Sequence, residues 1–258
     1  MRHTAQPPGS STRPRATTAS ALRDGVWSGE SALVHRDGRA IPVSLVLLAH
    51  RAPDGQLDFT SVIARDISTA KRDLLVQEAL RQLAMKLSAA LETPDLGRAV
   101  AETCRELFAP DAFFFVPLDA RGSVDFGAYV EDTSPGESSP KPMPAKMRAL
   151  SAALNPVIAG EPLLINRDGS PDDPTFNLLE TGGFRTRRSA SLAFAPVRWE
   201  NKTIAVISVQ SYRTQRFSPP DIQLLQTIAA HCAGAIARLK AEATLRENEE
   251  RLRLAMQS

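Results

Sequence analysis

The 258-residue chain carries 31 Lys and Arg against 29 Asp and Glu, a net charge of +2, with 43% hydrophobic and only 5% aromatic residues. So even a balance leaves no electrostatic footprint for nucleic acid or an anionic membrane surface, and the scarcity of aromatics argues against base-stacking platforms. No apolar run reaches the length of a membrane span, so the sequence reads as a soluble chain with room for one or two domains.

The first segment, residues 1–22, opens MRHTAQPPGSSTRPRATTAS and has no apolar stretch of the kind a secretory signal needs. It is Arg-rich and acid-poor, but its prolines oppose the amphipathic helix of a transit peptide, and it reads as a disordered tail. Residues 23–68 then predict three antiparallel strands. GVWSGESALVHRDG turns at Arg36-Asp37-Gly38, AIPVSLVLLAHR follows, and Pro53-Asp54-Gly55 leads into LDFTSVIARDIS. Asp-Gly stands twice where a hairpin turn needs positive φ. Trp27-Ser28-Gly29-Glu30, the Arg36-Asp37-Gly38 turn, Ile41-Pro42-Val43 and the closing Arg65-Asp66-Ile67-Ser68 resemble the C-terminal half of a PAS domain, without the strands and helices that family places before them. Three strands alone expose an apolar face, so the chain reads as a piece of a longer sensor.

Residues 69–92 predict a linker helix, capped by Ser68, whose Val76, Leu80, Leu83, Leu87 and Ala90 recur four, three, four and three apart. Residues 93–240 follow as one domain. Its elements are a helix over DLGRAVAETCRELFA, a strand over DAFFFVPLD, the surface loops DTSPGESSPKPMP and NRDGSPDDPT, a short helix in KMRALSAALNPVIAGEP and a strand at LLIN. A hairpin comes next: Leu192, Phe194, Ala195 and Val197, then Ile204, Val206, Ile207 and Val209, joined at Glu200-Asn201-Lys202. Ser218 before Pro219 and Pro220 opens the last helix. Its stripe through Ile222, Leu225, Ala229, Cys232, Ile236, Leu239 and Ala243 outruns any domain it could cover, which predicts parallel pairing with a second copy through Ile236 and Leu239. Residues 241–258 form the outgoing part of this helix, where RENEERLRLAMQS resembles the lead-in to another PAS domain.

The run APVRWENKTIAVISVQSYRTQRFSPPDIQLLQTIA, with its hairpin, its Phe217-Ser218 before Asp221 and its final helix, resembles the C-terminal half of a GAF domain, and the resemblance extends back to about Leu74. It implies an α+β fold: an antiparallel GAF-type sheet with a helical layer on one face and a lid on the other, preceded by a partial PAS three-stranded antiparallel sheet. It also implies a ligand cavity between sheet and lid. Phe115, Phe126, Phe176, Phe184 and Phe194 are the large candidates to line it, with Ser189, Ser191 and Ser208 as polar contacts. Strand alternation places Phe194 with Leu192 and Pro196 on the cavity side, and Ser208 with Val206 and Ile204. The alternative for each phenylalanine is plain core filling. Arg185, Arg187 and Arg188 beside Gly182-Gly183 offer an anion contact or a solvated basic loop.

Catalytic signatures are missing. None of the four histidines, His3, His35, His50 and His231, sits in a phosphoacceptor pattern, and no Gly-rich ATP lid or Walker motif occurs. Cys104 and Cys232 suit a reducing compartment and are spaced for neither a metal nor a CxxC redox motif. The GAF-type reductases of free methionine sulfoxide use lid cysteines, and residues 132–188 hold none. The cyclic-nucleotide pattern of the family is met only at Asn166, Phe176 and Glu180, with Arg167 in place of its lysine. The expectation is therefore a cytoplasmic, non-catalytic sensory input module of a sensor histidine kinase or cyclic-di-nucleotide enzyme, homodimeric through its terminal helices. It would bind a small ligand but neither nucleic acid nor membrane, with the cofactor unknown. A ligand-free dimerising spacer and a reductase are the alternatives.

Overall fold

In the computed structural model, residues 23–119, 129–132, 154–167 and 189–256 are described. The chain divides between Gln77 and Glu78 into two compact units. In the first unit, β1 (Val26–Val34), β2 (Ala40–Arg51) and β3 (Leu57–Asp66) form an antiparallel meander in the order β1-β2-β3. The glycines of both turns have positive φ, Gly38 at 89° and Gly55 at 81°, so the Asp-Gly pairs act as the turn chemistry requires. Helix α1 (Ser68–Ala89) leaves this unit and crosses the division. Ser68 is its first residue. The Asp66 carboxylate accepts the Ser68 N–H at 2.8 Å, and hydrogen bonds from the Ser68 hydroxyl and then its N–H hold the Asp66 carboxyl below the usual range.

The second unit is built on a five-stranded antiparallel sheet ordered β5-β4-β8-β7-β6, where β4 is Ala112–Pro117, β5 Tyr129–Asp132, β6 Leu163–Asn166, β7 Ser191–Trp199 and β8 Lys202–Ser211. Glu200 and Asn201, both at positive φ (48° and 65°), close the β7–β8 hairpin in the primed-turn conformation that matches strand twist. The helices are α2 (Thr93–Phe108), the one-turn α3 (Asn155–Ile158) and the 37-residue α4 (Pro219–Ala255). Pro219 and Pro220 occupy the first turn of α4, and the Ser218 N–H donates to the Asp221 carboxylate at 3.0 Å.

Alternation along each strand splits the sheet residues into two cores. On the helical side Phe113, Phe115, Ala193, Ala195, Val197, Ile207 and Val209 pack with α2 and α4. The alanines of β7 let α4 lie close. On the other side Ala112, Phe114, Val116, Leu192, Phe194 and Val206 pack with Leu154 and Val157 around α3.

Two expectations are corrected here. Ile236 and Leu239, read as contacts for a partner helix, are 2% and 7% exposed and belong to the unit's own core, because α4 lies along the sheet as far as Leu239. The α1 residues Leu83 and Leu87 likewise end in that core. Ile204 packs on the helical side rather than with Val206, since the register slips between Val197 and Arg198: Val197 faces Ala205 and Arg198 faces Thr203. The extra residue of this bulge turns Ile204 and Ala205 toward the same layer.

Candidate functional site

The face of the sheet away from α2 and α4 carries the best candidate site. Its central row reads Phe114, Ser208, Phe194 and Leu163 across four adjacent strands. Strands are spaced about 4.8 Å apart, so the two phenylalanines stand about 10 Å apart with one small side chain between them. Ser208 is therefore a small side chain set between two aromatic ones, a notch in the row, and these three residues are all buried. One row further along, Gln210 lies between Ala112 and Leu192.

A chain of buried hydrogen bonds crosses this apolar face. The Ser189 hydroxyl donates to Gln210 Oε1 at 2.7 Å, and Gln210 Nε2 donates to Ser208 Oγ at 3.3 Å. Burial makes such polar groups costly unless paired, so the three residues are held as a unit. Arg167, also buried, closes the end of the chain by donating from Nη1 to the Ser189 carbonyl at 2.9 Å. Among the described residues the Ser208 hydroxyl meets a carboxamide, a group with no basic lone pair to take its proton.

The predicted lining residues separate on this geometry. Phe194, Ser208 and Ser189 fall in or beside the notch. Phe115 does not: it faces Ile207 in the helical core, fully buried, and Phe114 takes its place at the wall. The run Ala-Phe-Phe-Phe-Val-Pro is apolar on both faces, so no alternation in the sequence distinguishes the two. Ser191 points to the helical side, where its hydroxyl accepts the Phe217 N–H at 3.1 Å and donates to Asn166. Phe126, Phe176, Phe184, Glu180 and the arginines 185, 187 and 188 lie outside the described residues. Gln210 went unread although a carboxamide two residues beyond Ser208, inside an apolar strand, is the kind of signal that marks a buried polar contact.

Two cations tie α4 to its surroundings. Lys240 Nζ donates to the carbonyl of Leu118, at the end of β4, a residue packed in the core of the notch face. Arg238, two residues earlier and so on the other side of the helix, donates from Nη2 to the Ala90 carbonyl at 2.8 Å. That contact satisfies a carbonyl at the C-terminal end of α1 that has no partner within its own helix. Both cysteines are buried between α2 and α4. Burial pushes the Cys232 thiol up to about 12 and raises that of Cys104 well above its ordinary value. Among the described residues no group of three or more His, Cys, Asp or Glu is placed to hold a metal ion, and no helix is long and apolar enough to cross a membrane.

The GAF domain family model matches residues 92–236, more than half of the chain. The chain belongs to the GAF family. Among solved structures it is similar to the GAF domain of an Acinetobacter phosphoenolpyruvate-protein phosphotransferase, at 17% identity and a TM-score of 0.49 over 64% of this chain and 94% of that one. It is also similar to the free methionine-R-sulfoxide reductase of Neisseria meningitidis, solved with its substrate, at 17% identity and a TM-score of 0.48 over 67% and 93%. The chromophore-binding domain of a bacteriophytochrome from R. palustris matches at 18% identity and a TM-score of 0.44 over 89% and 80%. No curated protein sequence matches the chain.

Proposed function

We propose that the chain is a non-catalytic sensory input module of a signal-transduction protein, with residues 23–68 as the C-terminal strands of a PAS domain and the GAF domain as the ligand-responsive part. The observation that carries this reading is the buried Ser189–Gln210–Ser208 chain between Phe114 and Phe194. A face meant only as core gains nothing from a line of polar groups that must each be satisfied. The notch suits a small, largely apolar molecule with a hydrogen-bonding edge. Occupation of the face is passed to α4 through the Leu118–Lys240 bond and biases two packings of paired helices. The output domain is that of a sensor histidine kinase or a cyclic-di-nucleotide enzyme, in the cytoplasm, where buried thiols stay reduced.

The test is extraction of the purified full chain followed by mass spectrometry, with thermal shift for any molecule found. A retained compound whose stabilising shift disappears in Ser208→Trp supports the reading. No retained compound, and no shift across a metabolite panel, leaves the domain a dimerising spacer.

A further inference from the structure

We propose that β3 of the first unit pairs with β3 of a second copy, antiparallel and centred on Ser61, so that the two meanders join edge to edge into one continuous sheet. The inference is independent of the notch and of the GAF domain. It starts from the two edges of the meander, which the order β1-β2-β3 leaves without a further strand among the described residues. An open edge presents a row of backbone N–H and C=O groups that another strand can take up, unless its own residues guard it.

The two edges are not alike. β1 carries Gly29 and Glu30 at its centre. The Trp27 ring lies over Gly29, where a Cβ would meet Cζ2 at 2.7 Å, and Glu30 is ion-paired with Lys71. A glycine inside the strand and a charge beside it discourage further pairing. β3 has a bulge at Asp58, between the pairs His50–Phe59 and Arg51–Leu57, and beyond it runs Phe59-Thr60-Ser61-Val62-Ile63-Ala64. This stretch holds no charge, proline or glycine, and Phe59, Thr60, Val62 and Ile63 are aromatic or β-branched, the composition of a segment that pairs with other strands. Phe59, Val62 and Ile63 are 54%, 58% and 59% exposed. The Phe59 ring is nevertheless held in place, stacked at 4.2 Å on His50, whose Nε2 lies 2.9 Å from the Ser61 hydroxyl. An exposed aromatic already fixed in one orientation loses little freedom on meeting a partner.

The sequence selects the occupant. Residues 1–22 contain Pro7, Pro8 and Pro14 and no Val, Ile, Phe, Tyr or Trp, so they are poor material for a fourth strand. β3 itself is good material, and one register suits it. Set antiparallel about Ser61, Phe59 of each copy faces Ile63 of the other and Thr60 faces Val62, which are favourable cross-strand pairs. Asp58 then faces Ala64 and Arg65 faces Leu57, so no like charges meet. Moving the centre to Val62 sets Asp58 against Asp66, and parallel in-register pairing sets Asp58, Arg65 and Asp66 each against itself. The two-fold axis at Ser61 leaves the guarded β1 at both ends of the joined sheet, so assembly stops at the dimer.

The experiment uses the full chain. Ser61→Cys should give a disulfide-linked dimer under mild oxidation, because only the central residue meets itself, with Cα atoms about 4.5–5.5 Å apart. Phe59→Cys should stay monomeric on a non-reducing gel, since the two copies of that position stand about 13 Å apart, and should cross-link when mixed with Ile63→Cys. Ser28→Cys on β1 should stay monomeric, and the native cysteines do not compete because both are buried. Ser61→Lys sets like charges face to face and should weaken association about two- to fivefold by light scattering at roughly 50 µM, with circular dichroism unchanged; mixing it with Ser61→Glu should restore the dimer. Hydrogen exchange at alternate amides of Phe59–Ile63 should be slow at roughly 50 µM and faster at roughly 1 µM. A parent chain that is monomeric at the higher concentration overturns the proposal, as does a dimer that fails to cross-link at Ser61→Cys. So do β3 amides that stay equally protected at every dilution, the mark of a neighbouring strand from the same chain.

Discussion

Ile236→Ala separates the two faces of α4 most sharply. The side chain is 2% exposed and sits in the helical-side core. Truncation removes three carbons, about 2.4 kcal/mol at about 0.8 kcal/mol per methylene, and the residual cavity raises the loss to about 3 kcal/mol, within the usual range for such changes. For a unit of this size each kcal/mol moves the midpoint by about 2–4 °C, so the GAF domain should melt about 6–12 °C lower. Leu245 is 59% exposed, so Leu245→Ala should change the domain's stability by no more than about 0.5 kcal/mol. The assay pairs thermal denaturation with light scattering on the same samples. The reasoning is refuted if Ile236→Ala dissociates the chain at an unchanged melting temperature, because Ile236 would then lie in an intermolecular contact.

Ser208→Ala should cost about 1–3 kcal/mol in urea denaturation by leaving the Gln210 amide without its acceptor, and Ser208→Ala/Gln210→Leu should cost less than the sum of the two single changes. Arg238→Met takes away the donor to the Ala90 carbonyl; hydrogen exchange should rise in the last turn of α1 and stay unchanged in β4. Native protein should resist Ellman's reagent at both cysteines and react at both once unfolded, since burial holds the thiols protonated. Because the folded Cys232 thiol is raised to about 12 against about 8.5 unfolded, its contribution is complete below pH 8.5 and is lost as the pH climbs toward 12. The urea midpoint should therefore fall between pH 8 and pH 10, by about 2 kcal/mol for this thiol, with the slope flattened in Cys104→Ala/Cys232→Ala.

Much of the architecture was legible from local chemistry. The Asp-Gly pairs before β2 and β3, the Ser-Pro-Pro opening of α4 and the apolar stripes of α1 and α4 each specify a conformation within a few residues, through φ preference, capping or periodicity. The GAF fold was readable for the same reason, as a string of such local signals in family order. What remained for the tertiary structure was the choice between equivalent faces. β4 is apolar at every position, so only its register with β8 places Phe114 in the notch and Phe115 in the core. A single bulge at Val197–Arg198 reversed Ile204, because one extra residue inverts a two-residue period. On α4 the sheet takes the apolar stripe through Ile236, and Leu245 and Leu252 beyond it stay exposed. Periodicity states that a face exists; only the packing of distant segments decides what that face meets.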